Sequence, residues 1–328
     1  MSLKHSIQLL VGCALAVFFG WLVFRQIDPA SVWAAIRGAS PSWVLAGVVV
    51  FFLGYSCRIE RWREMLMNDN PALAWVDCAG PMFASVAANN VLPFRAGDVV
   101  RAFAFNRRLG ISTSVALTTL VVERLLDLVV ILIFFTIALV ALGGATTEKL
   151  RYASLVPVLG AATLLALLLF PENFERVAAS GVRLVRRFAP GLGARLALEL
   201  HKVVVTLEHV GSRRTMARLV LLSVLTWLFE GLVFLCAAKA LPAVAQPLGA
   251  WLALPVGTLA TLIPSTPGFV GTFDYFVVQA MTELGNSENA AAAFAVLVHI
   301  LLWLPPTVTG GLYALIHPLK GALKARRT

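Results

Sequence analysis

The chain has 328 residues, of which 59% are hydrophobic and 13% are charged. Soluble globular proteins carry about 25% charged residues, so this composition excludes that class and indicates an integral membrane protein. The formal net charge of +10 does not indicate a nucleic-acid partner, because the basic residues fall mainly between apolar runs, where they set membrane orientation and meet anionic headgroups. The four cysteines lie in or beside apolar runs without C-x-x-C spacing, which predicts neither a disulfide framework nor a zinc site.

The apolar runs are continuous, which is typical of membrane helices and not of barrel strands. Six of them predict full spans, at residues 6–24, 42–57, 114–143, 153–170, 219–240 and 290–316. A short loop is predicted between the first two spans. The basic and aromatic cluster that follows the second span, from Arg58 to Arg63, is predicted to lie at the headgroup interface.

Two further apolar segments, residues 75–109 and 248–284, each contain a break. The first stops at the sequence NNVLP and the second at PSTPG, and each resumes at a glycine a few residues later. Proline removes a backbone donor and disfavours helix at the preceding residue. Two short helices separated by such a break predict a re-entrant hairpin. The predicted hinges are Pro93, Gly97, Pro264 and Pro267.

The distribution of Lys and Arg predicts that both termini are cytoplasmic, together with a basic segment at residues 171–218. In this topology residues 42–143 and 219–316 each form a span, a hairpin and a span, in opposite orientations. The predicted fold is a single all-α polytopic membrane domain over residues 1–328, with six full spans and two broken re-entrant hairpins arranged as inverted-topology repeats. Such repeats point to a substrate site near the bilayer midplane.

Charged residues are concentrated within residues 89–127, where apolar runs flank them on both sides. A charge at membrane depth costs about 2.5–3.5 kcal/mol on insertion scales and marks a binding or transport path. Arginine forks suit phosphate, carboxylates can hold the arginines, and amides and helix amino ends add donors. Glycines at the second break allow close backbone approach. The predicted headgroup site comprises Asn89, Asn90, Arg95, Asp98, Arg101, Glu123, Arg124, Asp127, Gly268 and Gly271.

Other roles stay open for the same residues. Arg95 and Arg101 could be interfacial determinants of topology. Glu123 and Asp127 lie four residues apart on one helical face, so they could form structural ion pairs with arginines or bind Mg²⁺. Together with Glu230 they could also form a proton relay.

Three motifs together resemble the lysylphosphatidylglycerol synthase transmembrane-region family, also called flippase-like domain proteins. They are N-x-x-L-P-x-R-x-G-D/E-x-x-R at residues 90–101, E-R-x-x-D at 123–127, and P-x-x-P-G-x-x-G-x-x-D/E at 264–274, which ends at Asp274. The resemblance covers nearly the whole chain, implies lipid translocation across the cytoplasmic membrane and adds Asp274 to the site. Asp98 and Asp274 stand where Glu is frequent, and Phe269 replaces the last glycine of Pro-Gly-Gly, which predicts a differently shaped second hairpin. We expect a stand-alone member, without a soluble synthase domain after Thr328 and therefore without aminoacyl transfer.

The predicted function is that of a flippase or scramblase in the bacterial cytoplasmic (inner) membrane. It would move an anionic phospholipid or polyprenyl phosphate by alternating access of the midplane site. Two alternatives are a membrane enzyme acting on a lipid phosphate and a non-transporting scaffold for lipid or envelope biosynthesis. Membrane lipids with anionic headgroups are the expected partners. A homodimer and an interaction with a lipid-biosynthesis enzyme are further possibilities. No nucleic acid, metal or cofactor is expected.

Overall fold

The computed structural model describes residue 21 and residues 28–92, 95–142, 159–160, 162–163, 171–194, 197, 213–263 and 266–317. Most of the predicted spans at 6–24 and 153–170 lies outside the described residues, as do Pro93 and Pro264. The described residues form helices joined by turns, with no strand among them. The helices are α1 (Pro29–Arg37), α2 (Pro41–Leu66), α3 (Trp75–Val91), α4 (Ala96–Ala104), α5 (Asn106–Leu109), α6 (Thr113–Leu142), α7 (Pro171–Phe188), α8 (Arg213–Ala240), α9 (Ala250–Ala260), α10 (Thr272–Glu283) and α11 (Glu288–Ile316).

Four of these helices, α2, α6, α8 and α11, are long and apolar enough to cross a membrane. A multi-pass helical membrane protein is therefore confirmed. Each of the four corresponds to one of the spans predicted from the apolar runs.

Two predictions for the first part of the chain were wrong. The loop predicted after the first span contains the helix α1. Its first residue is a proline, and the preceding residue, Asp28, caps the helix because its carboxylate accepts hydrogen bonds from the N–H groups of Ala30 and Ser31. The span predicted at residues 42–57, with a few flanking residues, is part of a longer helix, since α2 continues to Leu66. The basic cluster therefore lies on a helix, and Arg61 within it is fully buried instead of interfacial.

Both predicted hairpins are broken close to the expected positions. The first consists of α3 and α4, and the helix predicted to run to residue 109 is divided into α4 and α5. The second consists of α9 and α10, separated by a 3-10 turn at Pro267–Phe269. Gly268 and Gly271 have positive φ values of 68° and 87°, which glycine adopts without steric penalty.

Gly97 is a position of close packing between the two helices of the first hairpin. A Cβ atom at Gly97 would lie 1.8 Å from the carbonyl oxygen of Ser85. The Ser85 hydroxyl donates to the Gly97 carbonyl at 2.9 Å. The structure therefore explains this glycine by contact between α3 and α4, while its predicted role as a hinge stays a prediction.

The long helices and hairpins pack against one another across the molecule. Helix α2 packs along α8, α3 packs on α11, and α9 packs on α6. One apolar cluster lies around α8 to α11 and includes Phe234, Leu254 and Phe294. A second lies around the end of α2 and α3 to α6 and includes Trp62 and Leu126. These contacts bring the two hairpin breaks towards one region of the protein interior.

Candidate functional site

A cavity of about 500 Å³ lies between the two hairpins and the four long helices. A volume of this size is typical of small-molecule sites. Nine of the predicted site residues line it, namely Asn89, Asn90, Arg95, Asp98, Arg101, Glu123, Arg124, Asp127 and Gly268. The lining of the described cavity does not include Gly97, Gly271 or Asp274.

Arg101 of α4 and Glu123 of α6 form a buried ion pair at the cavity wall. The two terminal nitrogens of Arg101 donate to the two carboxylate oxygens of Glu123, one of them at 3.3 Å. The guanidinium also lies 4.8 Å from the ring centroid of Trp62. This bidentate geometry fixes the arginine and compensates its charge.

Arg124 and Asp98 form a second pair, which is more open to the cavity. Arg124 Nη2 donates to Asp98 Oδ2 at 2.6 Å, and 43% of the Arg124 side chain is exposed. Asn89 donates through Nδ2 to the other Asp98 oxygen at 2.9 Å and accepts from the Asp98 N–H at 3.2 Å. Asn89 therefore fixes the acid, and part of the Arg124 guanidinium remains accessible.

Helix α2 contributes two arginines in and beside this cavity that the sequence prediction of the site did not include. Arg61 Nη1 donates to Asp127 Oδ1 at 2.7 Å and to Ser223 Oγ at 2.8 Å. Arg58 Nη2 donates to Glu230 Oε2 at 2.9 Å, and its other terminal nitrogen lies 3.9 Å from Asp127 Oδ2. The available signal was the i, i+3 spacing of the two arginines, which places them on one helical face.

Arg95 differs from the other arginines of the cavity in its partners, which are uncharged. Its Nη2 donates to Thr261 Oγ1 at 3.0 Å, and its guanidinium lies 5.2 Å from the ring centroid of Phe269. Among the described residues, no carboxylate oxygen lies within 4.0 Å of it. An arginine carries five N–H donors, so Arg95 can bind an anion without losing an ion pair.

Asn90, at the end of α3, links the first hairpin to α11. Asn90 Nδ2 donates to the Trp303 carbonyl at 3.2 Å and to Thr307 Oγ1 at 2.9 Å. The Trp303 indole N–H donates back to the Asn90 carbonyl at 3.4 Å. The amide of Asn90 is therefore occupied by α11, and a part in headgroup binding stays a prediction.

The acid of the second hairpin is bound to a histidine that lines the cavity. His299 Nδ1 lies 2.7 Å from Asp274 Oδ1, and Asp274 Oδ2 accepts the Gly271 N–H at 2.9 Å. The amino end of α10 is therefore capped by its own acid. The prediction that helix amino ends add donors to the headgroup site has no support from these contacts at α10.

The possibility that Glu123 and Asp127 bind Mg²⁺ depends on whether their carboxylates are already occupied by other side chains. Glu123 is bound by Arg101, and Asp127 is bound by Arg61 and by the Trp227 indole N–H at 3.0 Å. Across the described part of the chain, no three His, Cys, Asp or Glu side chains are grouped so that they could hold a metal ion. The contacts of these acids therefore favour the structural ion-pair interpretation.

Comparison with known proteins gives one family and one curated relative. The sequence profile of the family described as "Lysylphosphatidylglycerol synthase TM region" matches residues 9–310. The chain is also similar to the glycosyltransferase AglD of Haloferax volcanii, with 26% identity over 346 aligned residues. The alignment covers 96% of this chain and 55% of the relative, so the chain spans about half the length of that protein.

Proposed function

The chain belongs to the lysylphosphatidylglycerol synthase transmembrane-region family, and on this premise we propose that it is a lipid translocase. The cavity between the hairpins binds the anionic headgroup of a phospholipid or polyprenyl phosphate. The headgroup is then exposed to each leaflet in turn. The proposed location is the bacterial inner membrane, with both termini cytoplasmic.

The observation that carries this proposal is the position of Arg95. Arg95 belongs to the first hairpin, contacts Thr261 and Phe269 of the second, and lines the cavity. Only one of its five N–H donors is used in the bond to Thr261. A phosphate on Arg95 would be within the same cavity as the exposed part of Arg124. Planar guanidinium donors match phosphate oxygens, and the wider apolar lining, with residues such as Leu259 and Leu302, suits the start of a lipid tail.

The other arginines in and beside the cavity are proposed to stabilise its wall. Arg101, Arg58 and the fully buried Arg61 are each bound to a carboxylate, and removing a carboxylate would leave an uncompensated charge in a medium of low polarity. The acids Asp127 and Glu230 are each held by an arginine, so we propose that they stabilise the cavity wall as ion pairs. A proton relay through these acids is the alternative role.

The packing pattern supports two repeats related by a pseudo-two-fold axis, and we propose that these repeats are inverted. The first helix of one repeat, α2, packs on the first helix of the other, α8. The first hairpin helix of each repeat packs on the last helix of the other, α3 on α11 and α9 on α6. Exchanging the two repeats leaves this pattern unchanged, as a pseudo-two-fold axis requires. We propose that the repeats move relative to each other about the broken hairpins, with Pro267 and Gly268 among the hinges.

The name of the archaeal relative supports a second candidate, a membrane enzyme acting on a lipid phosphate. Only about half of that relative is matched. His299, which lines the cavity and is bound to Asp274, has the chemistry of a general base. Chemical change of a supplied lipid phosphate, detected by mass spectrometry, would favour this candidate over translocation.

The experiment that tests the main proposal is a headgroup-accessibility assay in liposomes. Purified protein is reconstituted with fluorescent phospholipids or polyprenyl phosphates, and the fraction of headgroups reached by an external quencher is followed. Arg95→Gln should reduce the rate roughly tenfold or more, as expected for loss of one charge-assisted bond of about 1.5–3 kcal/mol. Arg218→Gln is the matched control, since Arg218 is exposed and binds Glu64 outside the cavity. Absence of any lipid movement in correctly inserted protein would refute the proposal.

A further inference from the structure

The two hairpins carry acids in equivalent positions. Asp98 is the third residue of α4, and Asp274 is the third residue of α10. Each carboxylate is bound to a nitrogen-bearing side chain on the next long helix, Arg124 at 2.6 Å and His299 at 2.7 Å. The correspondence therefore includes both the position of the acid and the kind of partner.

The partners occupy equivalent positions too. Arg124 is the twelfth residue of α6, and His299 is the twelfth residue of α11. Both side chains line the cavity. In each repeat, therefore, an acid on the hairpin holds a cavity-lining side chain that can carry a positive charge.

We propose that His299 is a second binding station for the headgroup phosphate, the counterpart of Arg124 in the other repeat. The inference deepens the proposed translocase function and depends on it. In one state the phosphate is bound at Arg124, and in the other at the protonated imidazole of His299, with Arg95 between the two hairpins in both. Because arginine stays charged whereas histidine changes its charge near neutral pH, only the second station depends on pH.

The other charged groups near His299 are arginines or are held in ion pairs. Among the elements packed on α11, α2 contributes Arg58 and α8 contributes Glu230 to the cavity, and Arg95 reaches it from the residue before α4. Arg58 and Glu230 are bound to each other at 2.9 Å, and Arg95 is an arginine. Asp274 is bound by His299 itself and by a backbone N–H at the start of α10.

The test compares the pH dependence of transport in variants that exchange the two stations. The probe is a fluorescent phosphatidylglycerol in neutral liposomes, because a phosphodiester keeps one charge between about pH 5.5 and 8.5. As the pH rises through this range, the rate of wild-type transport should fall roughly tenfold or more, because the charge-assisted bond between His299 and the phosphate is lost. His299→Arg should remove the pH dependence, whereas His317→Arg, at an exposed histidine outside the cavity, should retain it.

The reverse exchange keeps the test decisive if His299→Arg does not fold. Arg124→His should make transport more steeply dependent on pH than in the wild type. Wild-type slope in His299→Arg, or no added slope in Arg124→His, would overturn the proposal. Binding of the same lipid, followed as a shift in thermal unfolding temperature, separates the two claims. If lipid binding depends on pH and on His299 but no lipid is transported, the translocase function is refuted and the binding site is retained. If lipid is transported but His299→Arg keeps the pH dependence of the wild type, the function is retained and the site is refuted.

Discussion

Arg95 and Phe269 lie on different hairpins and contact each other, with the guanidinium 5.2 Å from the ring centroid. Both also adopt positive φ values, 51° and 59°, and in the described part of the chain no other residue except glycine does so. Such a conformation costs about 1–3 kcal/mol per residue and persists only where surrounding contacts enforce it. Each hairpin therefore has one residue with a strained backbone at its break, and these two residues, Arg95 and Phe269, contact each other.

Replacement of Phe269 tests this strain directly. Both Phe269→Ala and Phe269→Gly remove the ring, but only glycine adopts the positive φ freely. Phe269→Gly should therefore be more stable than Phe269→Ala by about 1 kcal/mol. Thermal unfolding in detergent measures the difference, and an alanine variant as stable as the glycine variant would contradict it.

The buried pair between Arg61 and Asp127 should contribute strongly to stability. Asp127→Leu leaves the fully buried Arg61 without its carboxylate, which should lower the free energy of unfolding by about 3–5 kcal/mol. Adding Arg61→Met should restore most of the loss, because both charges are then gone. In contrast, Arg218→Met at an exposed pair should change stability by less than about 1 kcal/mol. Equal stability of the single and double variants would argue against the pair.

The close contact between α3 and α4 should make Gly97 sensitive to a single methyl group. In Gly97→Ala the new Cβ would lie 1.8 Å from a backbone oxygen of α3, so the helices must separate. A loss of roughly 1–3 kcal/mol is expected for such overpacking. Gly311→Ala is the matched control, since a Cβ atom at Gly311 would meet no described atom of a neighbouring element within 4 Å. Measured unfolding of both variants should separate them, and similar stability would show that α4 can move freely.

The inverted topology predicts labelling from opposite sides of the membrane. Asp69 lies in the turn before the first hairpin, and Glu283 ends the second hairpin; both are exposed. In a variant without native cysteines, Asp69→Cys should react with an impermeant maleimide from the cytoplasmic side and Glu283→Cys from the other side. Reaction of both from one side would rule out the inverted arrangement.

The sequence was sufficient to predict the hairpin breaks, because proline and glycine act on the backbone locally. It also predicted that the acids of α6 lie beside arginines, since isolated charges in an apolar run need partners. It could not predict that Arg61 is buried, because one of its partners, Ser223, is 162 residues away along the chain. A basic residue at the end of an apolar run has the same local pattern whether it lies at the interface or in the interior.

Arg58 and Glu230 are separated by 172 residues, which has a consequence for biogenesis. At about 5–20 residues per second, ribosomes need roughly 9–34 s to make the intervening chain. During that time Arg58 is synthesised and α2 can insert, while the carboxylate that will bind the arginine does not yet exist. The first repeat should therefore remain a client of the insertion machinery until α8 arrives, and a nascent chain stopped before α8 should be a substrate for membrane quality-control proteases.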